Sequence, residues 1–182
     1  MSKKSGSSGL KLGVNGFGRI GKLTVWHHVA RKFFNEIVVN IGRQAGASLA
    51  DIAHYVERDS TYGWLHGYLY GHKGQPVVKD LDEDNGSMVI DGVKVSFLRR
   101  HRDPFEIGWG EHDVRLVVDT TGQFLHPISG VNHPRGTARG HLASGADKVI
   151  LSAPFKIKVE STPMPEDTVT TVMGINDNDY DP

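Results

Sequence analysis

Residues 12–21, LGVNGFGRIG, restrict what this chain can fold into more than any other stretch. Leu12, Gly13 and Val14 have the small, apolar character of the end of a buried strand. The spacing Gly16-x-Gly18-x-x-Gly21 follows at once, and an apolar, helix-compatible run covers residues 20–34. In such a strand–turn–helix unit, Gly16 permits a turn that a side chain would obstruct. Gly18 lets a ligand approach the backbone, and Gly21 lets the helix pack against the strand. The first N–H groups of the helix have no partner within it and face any anion over the turn. The spacing alone is a weak signal, because 22 of the 182 residues are glycine. The strand before it and the helix after it favour a dinucleotide-binding turn over a plain glycine-rich loop.

Residues 37–41 (IVVNI) read as a second buried strand, rich in β-branched side chains. Leu49, Ile52, Ala53 and Val56 recur at helical spacing and predict an amphipathic helix over 47–56. Asp91-Gly92 separates two apolar runs within 88–97, which predicts a hairpin with a two-residue turn. Further strands are expected at 114–119, 148–152 and 168–173 (TVTTVM), with a short helix at 139–144. Strands alternating with helices predict an α/β, Rossmann-type, doubly wound and mostly parallel sheet, with the β-hairpin as an antiparallel addition. Residues 1–10 read as a flexible leader and 11–182 as one domain. Residues 126–137 and 156–167 read as loops that tolerate insertion.

Lys+Arg and Asp+Glu both number 21, so the formal charge is zero. That gives no long-range pull toward nucleic acid or an anionic membrane. No apolar run approaches the ~18 residues of a membrane span, and residues 1–10 lack the apolar stretch of a secretory signal. There is no cysteine, hence no disulfide, no thiolate metal site and no cysteine nucleophile in the chain. His27 and His28 would point about 100° apart on a helix, and the other histidines lack zinc spacing. The acidic run 80–84 (DLDED) reads as a solvated turn, because it lacks the spacing of a calcium loop. Ser60 reads as structural. No catalytic residue and no metal ligand is therefore assigned.

VNGFGRIGK (14–22) closely resembles the opening of the phosphorylating, type I glyceraldehyde-3-phosphate dehydrogenases. RDSTYGWLHG (58–67), RDP with IGWG (102–110), VVDTTGQF (117–124), HLASGADKVILSAP (141–154) and VMGIND (172–177) resemble further segments of that family in the same order. The resemblance covers about residues 11–180 and implies a site for NAD or NADP. Gly16, Phe17, Gly18, Arg19, Ile20 and Gly21 would hold the pyrophosphate, with backbone amides at Arg19 and Ile20 lining it. Asn15 would lie near the adenosine, or be only a turn residue. Arg102 would lie near the adenine, or be a solvated charge. Thr121, Gly122 and Phe124 would stand beside the nicotinamide ribose. Ser152 would touch the nicotinamide side, or simply end its strand.

One departure from the family's pattern bears on the choice of cofactor. NAD-preferring sites place an Asp or Glu about 20 residues past the last glycine, to accept from the ribose 2′-hydroxyl. The matching position here is Gly42, followed by Arg43, and no carboxylate lies between residues 37 and 50. Gly42 leaves room for a 2′-phosphate, Arg43 can pair with it, and Gln44 or Ser48 can add a donor. NADP binding at least comparable to NAD is expected, the plainer alternative being that Arg43 faces solvent.

The family oxidises its aldehyde through an activated cysteine, and the motif carrying it follows the stretch that residues 179–182 resemble. The expectation is a cytoplasmic cofactor domain that binds NAD(P) without oxidising aldehyde alone, and that self-associates through surface a second domain would cover. A sister enzyme acting on another phosphorylated aldehyde, such as erythrose 4-phosphate, fits equally. A stand-alone nucleotide-binding or interaction module is the alternative from another class.

Overall fold

A computed structural model of the protein describes residues 9–42, 48–99, 101–157 and 163–180. β1 (Lys11–Asn15) runs through the glycine turn into α1 (Arg19–Arg31). β2 (Glu36–Asn40) returns parallel to it, with Leu12 opposite Ile37. α2 (Leu49–Glu57), the short antiparallel pair β3 (Arg58–Asp59) and β4 (Gly63–Trp64), and α3 (Leu65–Tyr70) follow. β5 (Val78–Asp82), β6 (Ser87–Ile90) and β7 (Val93–Leu98) form an antiparallel meander whose last strand joins β2 in parallel. The chain then crosses to the other side of β1. There β8 (Leu116–Asp119), α4 (Ala138–Ala143) and the edge strand β9 (Lys148–Leu151) complete a sheet ordered β5-β6-β7-β2-β1-β8-β9. The doubly wound sheet with an added hairpin is thus present. One arm of the hairpin, β7, is itself a strand of the parallel portion.

The two-residue period of the central strands divides the core between the faces of the sheet. Leu12, Val14, Ile37 and Val39 pack on one side with Val25, Trp26 and Val29 of α1 and Leu49, Ile52 and Val56 of α2. Val38 and Val117 pack on the other with Ile107, Trp109, Val114 and Ala146. Gly13 faces that second side, where a side chain would press on Val114, Val117 and the Trp109 ring. Both faces of β1 and β2 are covered, which is why their sequences are almost continuously apolar.

Three expectations change. The helix after the glycine turn ends at Arg31, because Lys32 takes a left-handed conformation (φ 55°) and its N–H closes on the His28 carbonyl. The acidic run 80–84 is not simply a solvated turn. Asp80, Leu81 and Asp82 belong to β5, and Glu83 accepts the Leu49 N–H at the start of α2 (2.8 and 3.0 Å to its two oxygens). Residues 168–173 form no strand. Their polar backbone groups bond locally: Asn176 Oδ1 accepts the Val172 N–H (2.7 Å), and Asn176 Nδ2 donates to the Thr170 carbonyl (2.9 Å). β-Branched residues favour a strand only where a neighbour completes the ladder.

Candidate cofactor site

The turn between β1 and α1 is shaped by its glycines. Gly16 has φ +93°, and a Cβ there would approach Thr121 Cγ2 to 2.9 Å. At Gly21 a Cβ would overlap the Gly16 carbonyl oxygen, so the helix could not close on the turn. Gly18 has nothing within 4 Å of its Cβ position, which leaves the backbone open on that side. α1 starts there with no side-chain cap and no acidic residue in its first turn. Its leading N–H groups and positive dipole end are therefore available to an anion.

A cleft of about 710 Å³ opens over this turn, at the carboxyl ends of the parallel strands, where strand order reverses between β1 and β8. Asn15, Gly16, Phe17 and Gly18 line it from the first turn, Ile41 and Gly42 from the end of β2, and Thr120, Thr121, Gln123 and Phe124 from the end of β8. Asp51, Ile52 and Tyr55 of α2 and Arg102 complete the wall. Eight of the residues singled out from sequence thus meet in one cleft: Asn15, Gly16, Phe17, Gly18, Gly42, Arg102, Thr121 and Phe124. Gly21 lies buried beneath the turn, and Gly122 lies between two lining residues at φ 65°. Arg19 and Ile20 are exposed at the start of α1, and Arg19 Nε lies 3.8 Å from Asp59. Ser152 is exposed at the end of the edge strand β9 and is not in the lining. Arg43 and Gln44 lie outside the described residues.

Gly42 needs a different explanation from open space. A Cβ there would meet the His101 carbonyl at 3.1 Å and Arg102 Cα at 3.3 Å, and Arg102 Nε donates to the Gly42 carbonyl (2.8 Å). A side chain here would press on the backbone of residues 101–102, which would have to give by a few tenths of an ångström to admit it.

Beneath the cleft lies a buried polar network that sequence reading missed. Asn15 Nδ2 donates to Asp119 Oδ2 (2.7 Å), and Asn40 Nδ2 donates to Asn15 Oδ1 (2.8 Å). The other Asp119 oxygen accepts from the Thr121 amide and hydroxyl (2.9 and 2.6 Å). Trp109 Nε1 donates to His141 Nδ1 (2.8 Å). His141 therefore carries its proton on Nε2, which donates to Asp119 Oδ2 (3.0 Å). Burial pushes the Asp119 carboxyl up. The bonds from His141, Thr121 and Asn15 outweigh it and hold the group below its ordinary range. The Thr120 hydroxyl lies 3.0 Å from both the Asn15 and Gly16 carbonyls, fastening the loop after β8 to the glycine turn. Asn15 is thus more than a turn residue: its side chain is committed to joining three strand ends. The available signal was a polar residue ending each apolar strand: Asn15, Asn40 and Asp119.

Lys22 is the second residue missed. It sits on the buried face of α1, only 2% exposed. Its Nζ donates to the Arg58 carbonyl (2.7 Å) and Asp59 (3.2 Å), and lies 3.8 Å from the centre of the Tyr55 ring. The Thr61 N–H leads in pulling the Asp59 carboxyl down to about 2, with the Tyr62 N–H and Lys22 adding to it against the opposing effect of burial. The cluster pins the first turns of α1 to residues 58–62, beside the cleft wall at Tyr55.

An open backbone at Gly18, an uncapped helix start and a cleft within the usual size for a cofactor fit a dinucleotide. The family model for the glyceraldehyde 3-phosphate dehydrogenase NAD-binding domain matches residues 10–127. The chain belongs to that family. Its relatives include the glyceraldehyde-3-phosphate dehydrogenase 2 of Bacillus subtilis (31% identical over 94% of this chain). The Bacteroides fragilis enzyme is 33% identical over 94%, and the chloroplastic enzyme of Guillardia theta 33% over 92%. The chain spans 41%, 42% and 35% of the lengths of these three relatives. It carries the NAD-binding domain of the glyceraldehyde-3-phosphate dehydrogenases, a family of oxidoreductases. No helix among the described residues is long and apolar enough to cross a membrane.

Proposed function

We propose that the cleft binds NAD or NADP as the cofactor half of a glyceraldehyde-3-phosphate dehydrogenase-like oxidoreductase. The uncapped start of α1 beneath the open face of Gly18 carries this reading. The turn from Gly16 to Gly21, with the amides of Arg19 and Ile20, takes the pyrophosphate. Asn15, Gly42 and Arg102 stand toward the adenosine, and Thr121, Gly122 and Phe124 toward the nicotinamide. Ser152 contributes at most from the rim. When bound, the cofactor supplies a hydride acceptor for oxidation of a phosphorylated aldehyde. The residues of this chain bind and orient it, and the buried network under Asn15 and Asp119 keeps the three strand ends in register. The chain contains no cysteine, so it binds cofactor without oxidising aldehyde by itself.

The finer reading is NADP affinity at least equal to that for NAD. The absence of an acid at Gly42 and the charge of Arg43 support it. We also place its action in the cytoplasm and expect self-association, supported by the exposed Ile150, Met173 and Ile175. Calorimetric titration of the chain with NAD and, separately, NADP tests the reading. Binding of both, with NADP at least as tight, is expected. Clear NAD preference would remove the finer reading alone, and binding of neither would remove the whole.

A further inference from the structure

We propose that His141 is a positioning residue for the cofactor, acting through Asp119 on the wall of the cleft, an inference that rests on the dinucleotide reading above. His141 is fully buried and outside the lining, so it touches no ligand itself. Its reach runs to Thr121 and Phe124, two lining residues that follow β8. The Phe124 ring stands perpendicular to the imidazole, with 6.3 Å between centroids. Thr121 is held by hydrogen bonds. One Asp119 oxygen takes its amide and hydroxyl, and the other oxygen of the same carboxylate accepts from His141 Nε2. The Thr121 hydroxyl oxygen in turn accepts the Gln123 N–H (3.2 Å), so the carboxylate sets residues 121–123.

The place of His141 is itself fixed by packing. The Thr137 hydroxyl accepts the Gly140 N–H at the start of α4 (3.2 Å). A Cβ at Gly140 would come within 2.8 Å of the Phe105 nitrogen. Glycine there lets α4 close on residues 104–105 and carry the next residue, His141, beneath the cleft. Trp109 Nε1 makes Nδ1 the acceptor, which leaves Nε2 to donate. Asp119 is only 2% exposed, and a carboxylate so buried needs donors on both oxygens. Without His141, the oxygen facing it would keep the Asn15 side chain as its donor among the described residues. The carboxylate would turn toward Asn15 and draw Thr121 with it.

Two replacements separate this role from packing. In His141→Gln the amide nitrogen can still donate to Asp119, and in His141→Asn the amide oxygen can still accept from Trp109. Each leaves one buried partner unpaired, so both should melt below the native chain by similar amounts. NAD is titrated calorimetrically into the native chain and both variants, well below their melting temperatures. His141→Asn is expected to weaken NAD binding about tenfold, while His141→Gln stays within about threefold of native. Equal losses in the two variants, a larger loss in His141→Gln, or no loss in either would reduce His141 to packing and overturn the role. Heteronuclear NMR of the imidazole nitrogens in the native chain gives a second readout that needs no variant. A ring protonated on Nε2, with a signal that moves on adding NAD, is expected. Protonation on Nδ1, or a signal unmoved by bound NAD, overturns the proposal. A native chain that binds no NAD removes the dinucleotide reading, and this role with it.

Discussion

Residues 37–41 and 168–173 are both runs rich in β-branched side chains, yet one is a central strand and the other forms no strand. IVVNI lies between β1 and β7, with Ile37, Val38 and Val39 at most 1% exposed. TVTTVM lies on the surface, with Val169 41% and Val172 51% exposed, and its hydrogen bonds are local. The comparison teaches that β propensity is permission only. A strand forms only where a neighbouring strand takes up its N–H and C=O groups, and it is buried, as here, where neighbours lie on both edges and layers cover both faces.

The first way to break the comparison is to open the packed region at its tightest contact. Gly21→Ala puts a Cβ against the Gly16 carbonyl oxygen. It should destabilise the chain by about 3 kcal/mol. The turn would shift as well, weakening dinucleotide binding more than about tenfold. Urea unfolding and calorimetric titration read the two effects, and a variant native in both would show that the turn has slack.

A smaller effect tests the polar layer beneath the cleft. Trp109→Phe removes the donor to His141 Nδ1 and leaves a fully buried acceptor unpaired. The loss should be on the order of 2 kcal/mol in urea unfolding. A change below about 0.5 kcal/mol would mean that the network does not hold the strand ends together.

The smallest effect sharpens the other side of the comparison. Ile175 is 81% exposed, so Ile175→Ser should change unfolding free energy by less than about 0.5 kcal/mol. Light scattering should show weaker self-association, because an exposed apolar side chain is removed. A large stability loss would show that residues 168–175 are packed against something in solution. Unchanged association would remove this face from the self-contact.

Much of the lining of the candidate cleft was legible because its constraints are local. The three glycines, the strand before them and the helix after them lie within one short stretch. The periodicity of β2 and α2 and the Asp91-Gly92 turn could be read in the same way. The polar partners were hidden because they are distant in sequence. Asn15 meets Asp119 across 104 positions, Trp109 meets His141 across 32, and Lys22 meets Asp59 across 37. Lys22 carries a faint signal, standing in step with Val25, Trp26 and Val29 on the buried face of α1. A lysine in that register must have an acceptor, but only the fold names Asp59 and the Arg58 carbonyl.

The sequence by itself determined the α/β class, the glycine turn and the family, because each depends on spacing within a segment or on ordered short motifs. The tertiary structure decided what spacing cannot carry. It excluded a strand at 168–173 for want of a ladder partner, set Gly42 close against the backbone of residues 101–102, and joined three strand ends through Asn15 and Asp119. It also turned Ile52 and Tyr55 of α2 toward the cleft. Burial and hydrogen bonding are satisfied between segments, so they become visible only when the segments meet.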